Sequence, residues 1–178
     1  MEDIIEKHLQ EWEAKGLNQL PDEVAVEMSD PEQDEDEEWR IWKAIPSTVT
    51  EAELKAVEAL IGYELPPSYK RFLGYKHFYE FKIGPCTFCS HPIHYWRGCL
   101  SEMIFRTYPE EYLMGKGLIP FAAWSDWGAL CFDSSNRVGN EYQIVRWDHE
   151  KPHETELIFN NINHLLNDLD KNSVEYRE

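Results

Sequence analysis

A chain of 178 residues is long enough to bury one hydrophobic core, and its 42% hydrophobic and 13% aromatic content is typical of a folded globular protein. Its 34 acidic residues against 17 basic ones give a formal net charge of -17, which disfavours binding to nucleic acid or to an anionic membrane surface. A basic protein is the better electrostatic partner, with acidity that only maintains solubility as the open alternative.

The first residues contain no basic and apolar leader, and no stretch approaches the ~18 apolar residues that would span a bilayer. We therefore expect a cytoplasmic protein without a membrane segment. In that compartment the 4 cysteines are expected to be reduced thiols rather than disulfides.

The first 38 residues are predicted to be an appendage to a main domain at residues 39–178. Apolar residues at helical spacing predict a helix from about Asp3 to Lys15, which Gly16 ends. The next segment, residues 21–38, contains many carboxylates and no Lys or Arg, and their repulsion predicts an extended or mobile loop. This segment is either an acidic arm for a basic partner or a solvated linker.

Two further helices are predicted next. Thr50 and Glu53 form a capping box at the start of the first, and Gly62 fits its end. Pro66 and Pro67 suit the opening turn of the second. The buried faces of both helices have apolar residues at spacings of three and four: Leu54, Val57, Ile61, Tyr69, Phe72 and Leu73.

The centre of the chain changes to strand-like composition. From Phe78, aromatic and β-branched residues broken by Gly84, Pro85, Pro92 and Gly98 predict short strands or irregular hairpins. A helical piece is expected within residues 101–112, where a proline limits its length.

The segment from Leu118 to Asp133 combines two apolar runs around a polar break that contains tryptophan. Its second run, Ala129–Asp133, is predicted to pair with Tyr142–Asp148 as an antiparallel hairpin. Between these strands stand residues with turn chemistry: Ser134, Ser135, Asn136, Gly139 and Asn140.

The last predicted element is a helix that packs one apolar stripe across the sheet. The stripe consists of Ile158, Phe159, Ile162, Leu165, Leu166 and Leu169.

The order of these segments resembles the SUKH superfamily, whose founding members include yeast cell-wall assembly regulators of the Smi and Knr type. The resemblance covers about Thr50 to Leu169. It rests on three segments: Glu51-x-x-Leu54, Leu65-Pro66-x-x-Tyr69-x-x-Phe72-Leu73 and Ile119-Pro120-Phe121. After these helices the chain departs from the family pattern, because Gly74-Tyr75-Lys76-His77 replaces an Asn-Gly-Gly-like turn.

The resemblance implies an α+β fold, with a central antiparallel β-sheet flanked by helices. It also implies a protein that binds other proteins and is not an enzyme, since many bacterial members are immunity proteins that neutralise polymorphic toxins. We therefore expect an immunity protein that binds its toxin stoichiometrically, a basic nuclease being one candidate. An intracellular regulatory adaptor of the cell-wall or signalling type is the alternative, and the oligomeric state is left open.

The tryptophan-containing break is the predicted partner-binding site, because aromatic residues with a polar group are enriched at interaction hot spots. The residues predicted to bind the partner are Trp124, Asp126, Trp127, Asp133 and Asp148. Trp147 alternates in step with Val145 and is expected in the core. The Asp148-His149 pair lacks a positioned nucleophile, so no catalytic residue and no cofactor is predicted.

One group of residues has the chemistry of a metal site: Cys86, Cys89, His91, His94 and Cys99. Thiolates and imidazoles at such spacing can bind Zn²⁺, which makes a small zinc-binding protein a further alternative. However, alternation along a strand points Cys86 and Cys89 to opposite faces, and structural zinc usually takes ligands from two separated segments. We therefore expect buried cysteines, exposed histidines and no metal.

Overall fold

The structure is a computed structural model that describes residues 1–21, 23–34, 37–126 and 128–172. Within these ranges the helices are α1 (Glu2–Ala14), α2 (Glu51–Ile61), α3 (Pro67–Leu73), α4 (Trp96–Glu102) and α5 (Ile162–Asn172). The strands are β1 (Gln19–Leu20), β2 (Arg40–Ile41), β3 (Ile45–Pro46), β4 (Lys76–His77), β5 (Lys82–Ile83), β6 (Cys86–Phe88), β7 (Leu118–Trp124), β8 (Gly128–Val138), β9 (Glu141–Asp148) and β10 (Thr155–Phe159). None of these helices is long and apolar enough to cross a membrane.

The central element is an antiparallel sheet of β5 to β10, in which each strand pairs with the next along the chain. Two smaller pairs, β1 with β2 and β3 with β4, lie outside it. The chain therefore has the α+β fold with a central antiparallel sheet and an N-terminal helix that the sequence predicted.

The predicted hairpin is confirmed as β8 and β9, with Cys131 opposite Val145. The turn lies at Gly139 and Asn140, where Gly139 has a φ of 65°. The prediction was wrong for residues 134–136, which belong to β8 and form an irregularity between Asp133 and Arg137. These residues form a β-bulge within β8 instead of the turn that reverses the chain.

Hydrophobic side chains are buried on both faces of the sheet. One face holds the main core, where Phe132 and Ile144 pack with residues of all five described helices. The opposite face holds a second, smaller cluster: Leu113, Leu118, Ala129, Cys131, Val145 and Trp147. Successive side chains of β8 and β9 alternate between these faces, and Trp147 is buried as predicted.

The helix signals of the N-terminal half are confirmed. The Thr50 hydroxyl accepts from the Glu53 amide, and the Glu53 carboxylate accepts in return from the Thr50 amide. Gly62 ends α2 with a φ of 75°, and Pro67 occupies the first position of α3. Helix α1 buries Ile5 and Leu9 in the main core.

The described part of the acidic segment after α1 packs against the rest of the protein. Met28 is 0% exposed, its neighbour Ser29 bridges to Trp42, and the Ala25 amide donates to the Tyr79 hydroxyl. The prediction of a fully solvated linker is therefore wrong around Met28, because one buried apolar side chain outweighs the local charge repulsion. Asp22, Glu35 and Asp36 lie outside the described residues.

The boundary of the last helix differs from the prediction. Ile158 and Phe159 belong to β10, which pairs with β9, and α5 begins only at Ile162. The Asn161 side chain accepts from the His164 amide at 3.0 Å and so caps the helix after the apolar stripe has begun. The remaining apolar residues of the stripe are 0% exposed in the main core.

Candidate functional site

A cleft of about 360 Å³ opens at the end of the sheet where β7 and β8 meet. It lies on the face that carries the second cluster, because Trp147 belongs to both. We call it the aromatic cleft, and its main lining residues are Tyr108, Tyr112, Ala123, Asp126, Trp147 and His149. The predicted break between the two apolar runs thus forms one side of a concave site.

Gly128 keeps the floor of the aromatic cleft open. In the sheet it pairs with Trp124 on one side and with Asp148 on the other. A Cβ at Gly128 would lie 1.8 Å from the Trp147 carbonyl oxygen, a distance that no side chain can adopt. Only glycine therefore permits the two backbones to approach so closely at this point.

The aromatic side chains of the cleft are fixed by bonds at their polar ends. The Tyr108 hydroxyl donates to the Gly128 carbonyl at 3.3 Å, and the Trp147 indole N–H donates to the Pro152 carbonyl at 3.2 Å. The rings of Tyr108 and Trp147 meet edge to face with centroids 5.9 Å apart. Burial raises the pKa of Tyr108 to about 12, so its hydroxyl remains a donor at neutral pH.

The segment that forms the wall of the cleft comes directly after a π-helix in the chain. A π-helix at Met103–Thr107 continues α4, and the Thr107 hydroxyl donates to the Glu102 carbonyl at 3.1 Å. Tyr108 is extended, as expected for a residue before proline, so the chain leaves the helix there and crosses the sheet face. The predicted helical piece thus begins earlier, at Trp96, and Gly98 lies inside α4 instead of breaking a strand.

The turn after β7 forms the rim of the cleft. Ser125 has a φ of 51°, a left-handed conformation that is uncommon for a residue with a side chain. Its amide donates to the Pro85 carbonyl at 2.7 Å, which fixes the turn to the connection between β5 and β6. The turn places Asp126 at the rim with its side chain exposed.

The remaining predicted binding residues are distributed around this end of the sheet. Trp124 is partly buried against the main core, on the face opposite the cleft. Asp148 pairs with Gly128 at this end of the sheet but lines a separate pocket with Arg146, and its carboxylate accepts from the Glu150 amide at 2.8 Å. Trp127 lies outside the described residues. Of the predicted binding residues only Asp126 is among the residues that line the cleft, and the sequence did not single out its other lining residues Tyr108 and Tyr112.

Asp133 is separated from the others. It pairs with Leu118, at the opposite end of β7 from Trp124. Burial raises the pKa of Asp133, but hydrogen bonds from Ser135 and Asn136 outweigh burial and hold the pKa below its usual value. This carboxylate stabilises the bulge of β8, and the predicted grouping with Asp126 is wrong.

The candidate zinc ligands do not converge in the structure. Within the described ranges no group of three or more His, Cys, Asp or Glu side chains is arranged to hold a metal ion. Cys86 and Cys89 are buried, and burial raises the pKa of both thiols, which makes them poor thiolate ligands. His94 is exposed and lies 3.1 Å from a Glu27 carboxylate oxygen.

The prediction of exposed histidines is wrong for His91, which is 1% exposed. Its Nδ1 atom lies 3.0 Å from Nδ1 of His77, a second buried histidine for which the sequence suggested no partner. The two residues are brought together because Phe78 and His91 form an isolated bridge between distant segments. This pair belongs to the interior and not to the aromatic cleft.

An antiparallel sheet with helices packed on one face and an aromatic cleft on the other defines a domain of the α+β class. The sequence profile of the SMI1/KNR4 family (SUKH-1) matches residues 48–168, and the chain belongs to this family. Membership supports a protein-binding domain of the immunity type or of the Smi1/Knr4 type. No curated protein matches the chain.

Proposed function

We propose that this protein is a non-enzymatic immunity protein, which neutralises a basic toxin domain by stoichiometric binding at the aromatic cleft. One observation carries the proposal. The cleft offers aromatic surface with a carboxylate at its rim, and none of its described lining residues is Lys or Arg. On a chain with a net charge of -17, such a site is complementary to a cationic protein surface.

The aromatic side chains are suited to act as binding anchors. Tyr and Trp dominate interaction hot spots because they offer large contact areas and lose little conformational entropy. Tyr108 is half-buried and already held by its bond to the Gly128 carbonyl, and it packs against the buried Trp147, so a partner would not have to order it. This preorganisation favours slow dissociation of the complex.

The acidic surface would direct association. Asp126 and Asp148 lie at the cleft end, and the proposal treats residues 1–38 as an acidic extension of the binding domain at residues 39–178. Glu23, Glu32 and Asp34 are exposed on this extension, which Met28 attaches to the body. If the toxin is a nuclease, these carboxylates occupy the basic surface that it needs for the phosphate backbone. The proposed location is the cytoplasm, where such a toxin acts.

The test is capture of partners by the tagged full-length protein from its native cells at low salt, followed by mass spectrometry. A captured toxin domain is then purified and expressed with and without this protein. Rescue of growth together with 1:1 binding in calorimetry supports the immunity function. Capture of wall-synthesis or signalling proteins, without any toxin, would instead establish the adaptor function.

A further inference from the structure

We propose that the aromatic cleft is a receptor for an arginine side chain of the partner. This inference depends on the proposed function only for the identity of the partner. The preference of the cleft for a guanidinium group is a property of this chain, and it can be measured without any partner.

The shape and lining of the cleft suit a flat cation. Its volume of about 360 Å³ is lined by the half-buried Tyr108 and Tyr112 and by the buried Trp147. Aromatic faces attract cations, and they stack with the flat guanidinium group better than with a compact ammonium group. The ring of Tyr112 already attracts a cation of its own chain, because the exposed Lys116 ammonium lies 5.8 Å from the ring centroid.

The hydrogen bonds of the wall also favour a cation over an anion. The Tyr108 hydroxyl and the Trp147 indole N–H both donate to backbone carbonyls. These donors are therefore not available to an anionic ligand. Because Trp147 is only 2% exposed, the cleft offers a ligand mainly the half-buried rings of Tyr108 and Tyr112, whose electron-rich faces have the polarity that a cation requires.

The rim of the cleft carries hydrogen-bond acceptors that suit a guanidinium group. The exposed carboxylate of Asp126 and the hydroxyl of Ser125 are acceptors at the mouth of the cleft. A guanidinium group has five N–H donors in one plane, so it can stack on a ring while it donates to a carboxylate at the ring edge. Lysine can satisfy either contact but not both in this flat arrangement, which favours arginine.

The experiment is an NMR titration of the full-length protein with N-acetyl-arginine amide. The comparison ligands are the lysine amide and the citrulline amide, the second of which has nearly the same shape as arginine but no charge. We expect saturable shifts of the Trp147 indole N–H and of the Tyr108 and Tyr112 resonances with arginine. Binding should be weaker with lysine and absent with citrulline.

Two variants with the same chemical change separate a local contact from a general charge effect. Asp126→Asn removes the rim carboxylate and should weaken arginine binding about two- to five-fold, the range of an exposed ion pair. Asp3→Asn removes an exposed carboxylate on α1, which packs on the helix face of the sheet, and should leave binding unchanged. Tyr112→Leu should also weaken binding, because it removes an aromatic face.

Equal binding of citrulline, tighter binding of lysine or equal effects of the two Asp→Asn variants would each overturn the arginine assignment. These results do not depend on the capture experiment. If arginine binds in the cleft but no toxin is captured, the immunity function fails and the receptor site stands. If a toxin is captured and arginine does not bind, the immunity function stands and the receptor site fails.

Discussion

His77 and His91 contact each other inside the protein, with their Nδ1 atoms 3.0 Å apart and their rings stacked at a centroid distance of 4.7 Å. On its other side, His77 Nε2 accepts from the Thr48 amide at 3.0 Å, so this nitrogen is not protonated. Burial, together with a smaller effect of the neighbouring His77, lowers the pKa of His91 to about 3. Burial also lowers the pKa of His77, more than the hydrogen bond to the His91 carbonyl and the nearby Glu53 raise it.

The first prediction is a loss of stability in mild acid. Both histidines have lowered pKa values in the folded state, so the unfolded chain binds protons first as the pH falls below 6.5. The contribution of these two histidines to the free energy of unfolding should be nearly constant between pH 8 and about pH 7, and below pH 6.5 it should approach a fall of about 1.4 kcal/mol per pH unit for His91, with a further loss from His77. Urea unfolding between pH 8 and pH 5 measures this slope before the carboxylates titrate.

Two variants identify the source of the slope. His91→Asn retains a group near the Nδ1 position that can bond the Lys76 carbonyl, but it cannot titrate, so the slope should shrink. His164→Gln removes an exposed histidine of α5 and should leave the slope unchanged. A slope that His91→Asn does not alter would assign the acid sensitivity to other groups.

The second prediction concerns Gly128. Alanine at this position would place its Cβ 1.8 Å from the Trp147 carbonyl oxygen, so β8 and β9 would have to separate. We expect a loss of at least about 2 kcal/mol in the free energy of unfolding, together with loss of the cleft. Thermal unfolding and the Trp147 indole N–H signal measure these two effects.

Gly74→Ala is the control for that substitution. Gly74 has a φ of -79°, and its added Cβ would meet the Lys70 carbonyl oxygen at 3.3 Å, which is tight but tolerable. This change should cost less than Gly128→Ala. Equal costs would mean that close approach of backbones does not explain the glycine at the floor of the cleft.

The third prediction concerns the attachment of the acidic segment. Met28→Ala removes a side chain that is 0% exposed and should weaken the attachment by about 2 kcal/mol. Limited proteolysis should then cut residues 29–38 faster than in the wild type. Val26→Ala, two residues away and 82% exposed, should not change the rate. Similar acceleration by both variants would show that Met28 does not anchor the segment.

The fourth prediction concerns binding of the proposed toxin domain. Since complementary charges accelerate encounter, the association rate constant should fall steeply between about 50 and 500 mM salt, where the Debye length becomes shorter than most charge separations. The dissociation rate constant should change much less, because it depends on the aromatic contacts. Stopped-flow mixing measures the first rate and surface plasmon resonance the second. Association that does not depend on salt would exclude electrostatic direction.

The sequence predicted the elements that have local signals. Helix α2 was found from the capping box at Thr50 and from Gly62, and α3 from Pro66 and Pro67, because each of these residues acts within one turn of the chain. Strand β10 was missed for the opposite reason. Ile158 and Phe159 continue the helical spacing of α5, and only their pairing with β9 makes them a strand.

The candidate site was predicted in part for the same reason. Asp126 was predicted as a binding residue and Trp147 only as a core residue of the hairpin, and pairing of adjacent strands brings both to the cleft. Tyr108 and Tyr112 come from a segment without strong periodicity that folds back over the sheet after the π-helix. The aromatic spacing around Pro109 was the available signal, but it does not indicate which surface the segment covers.

The two-sided burial of the sheet has a consequence for how the protein can diversify. The main core carries the helices, whereas the cleft belongs to the second cluster, which is small and covered mainly by the segment with Tyr108 and Tyr112. Mutations in this covering segment can therefore alter what the cleft accepts while the helix face continues to stabilise the fold. A lineage exposed to changing partners could revise its recognition surface repeatedly and still inherit the same scaffold.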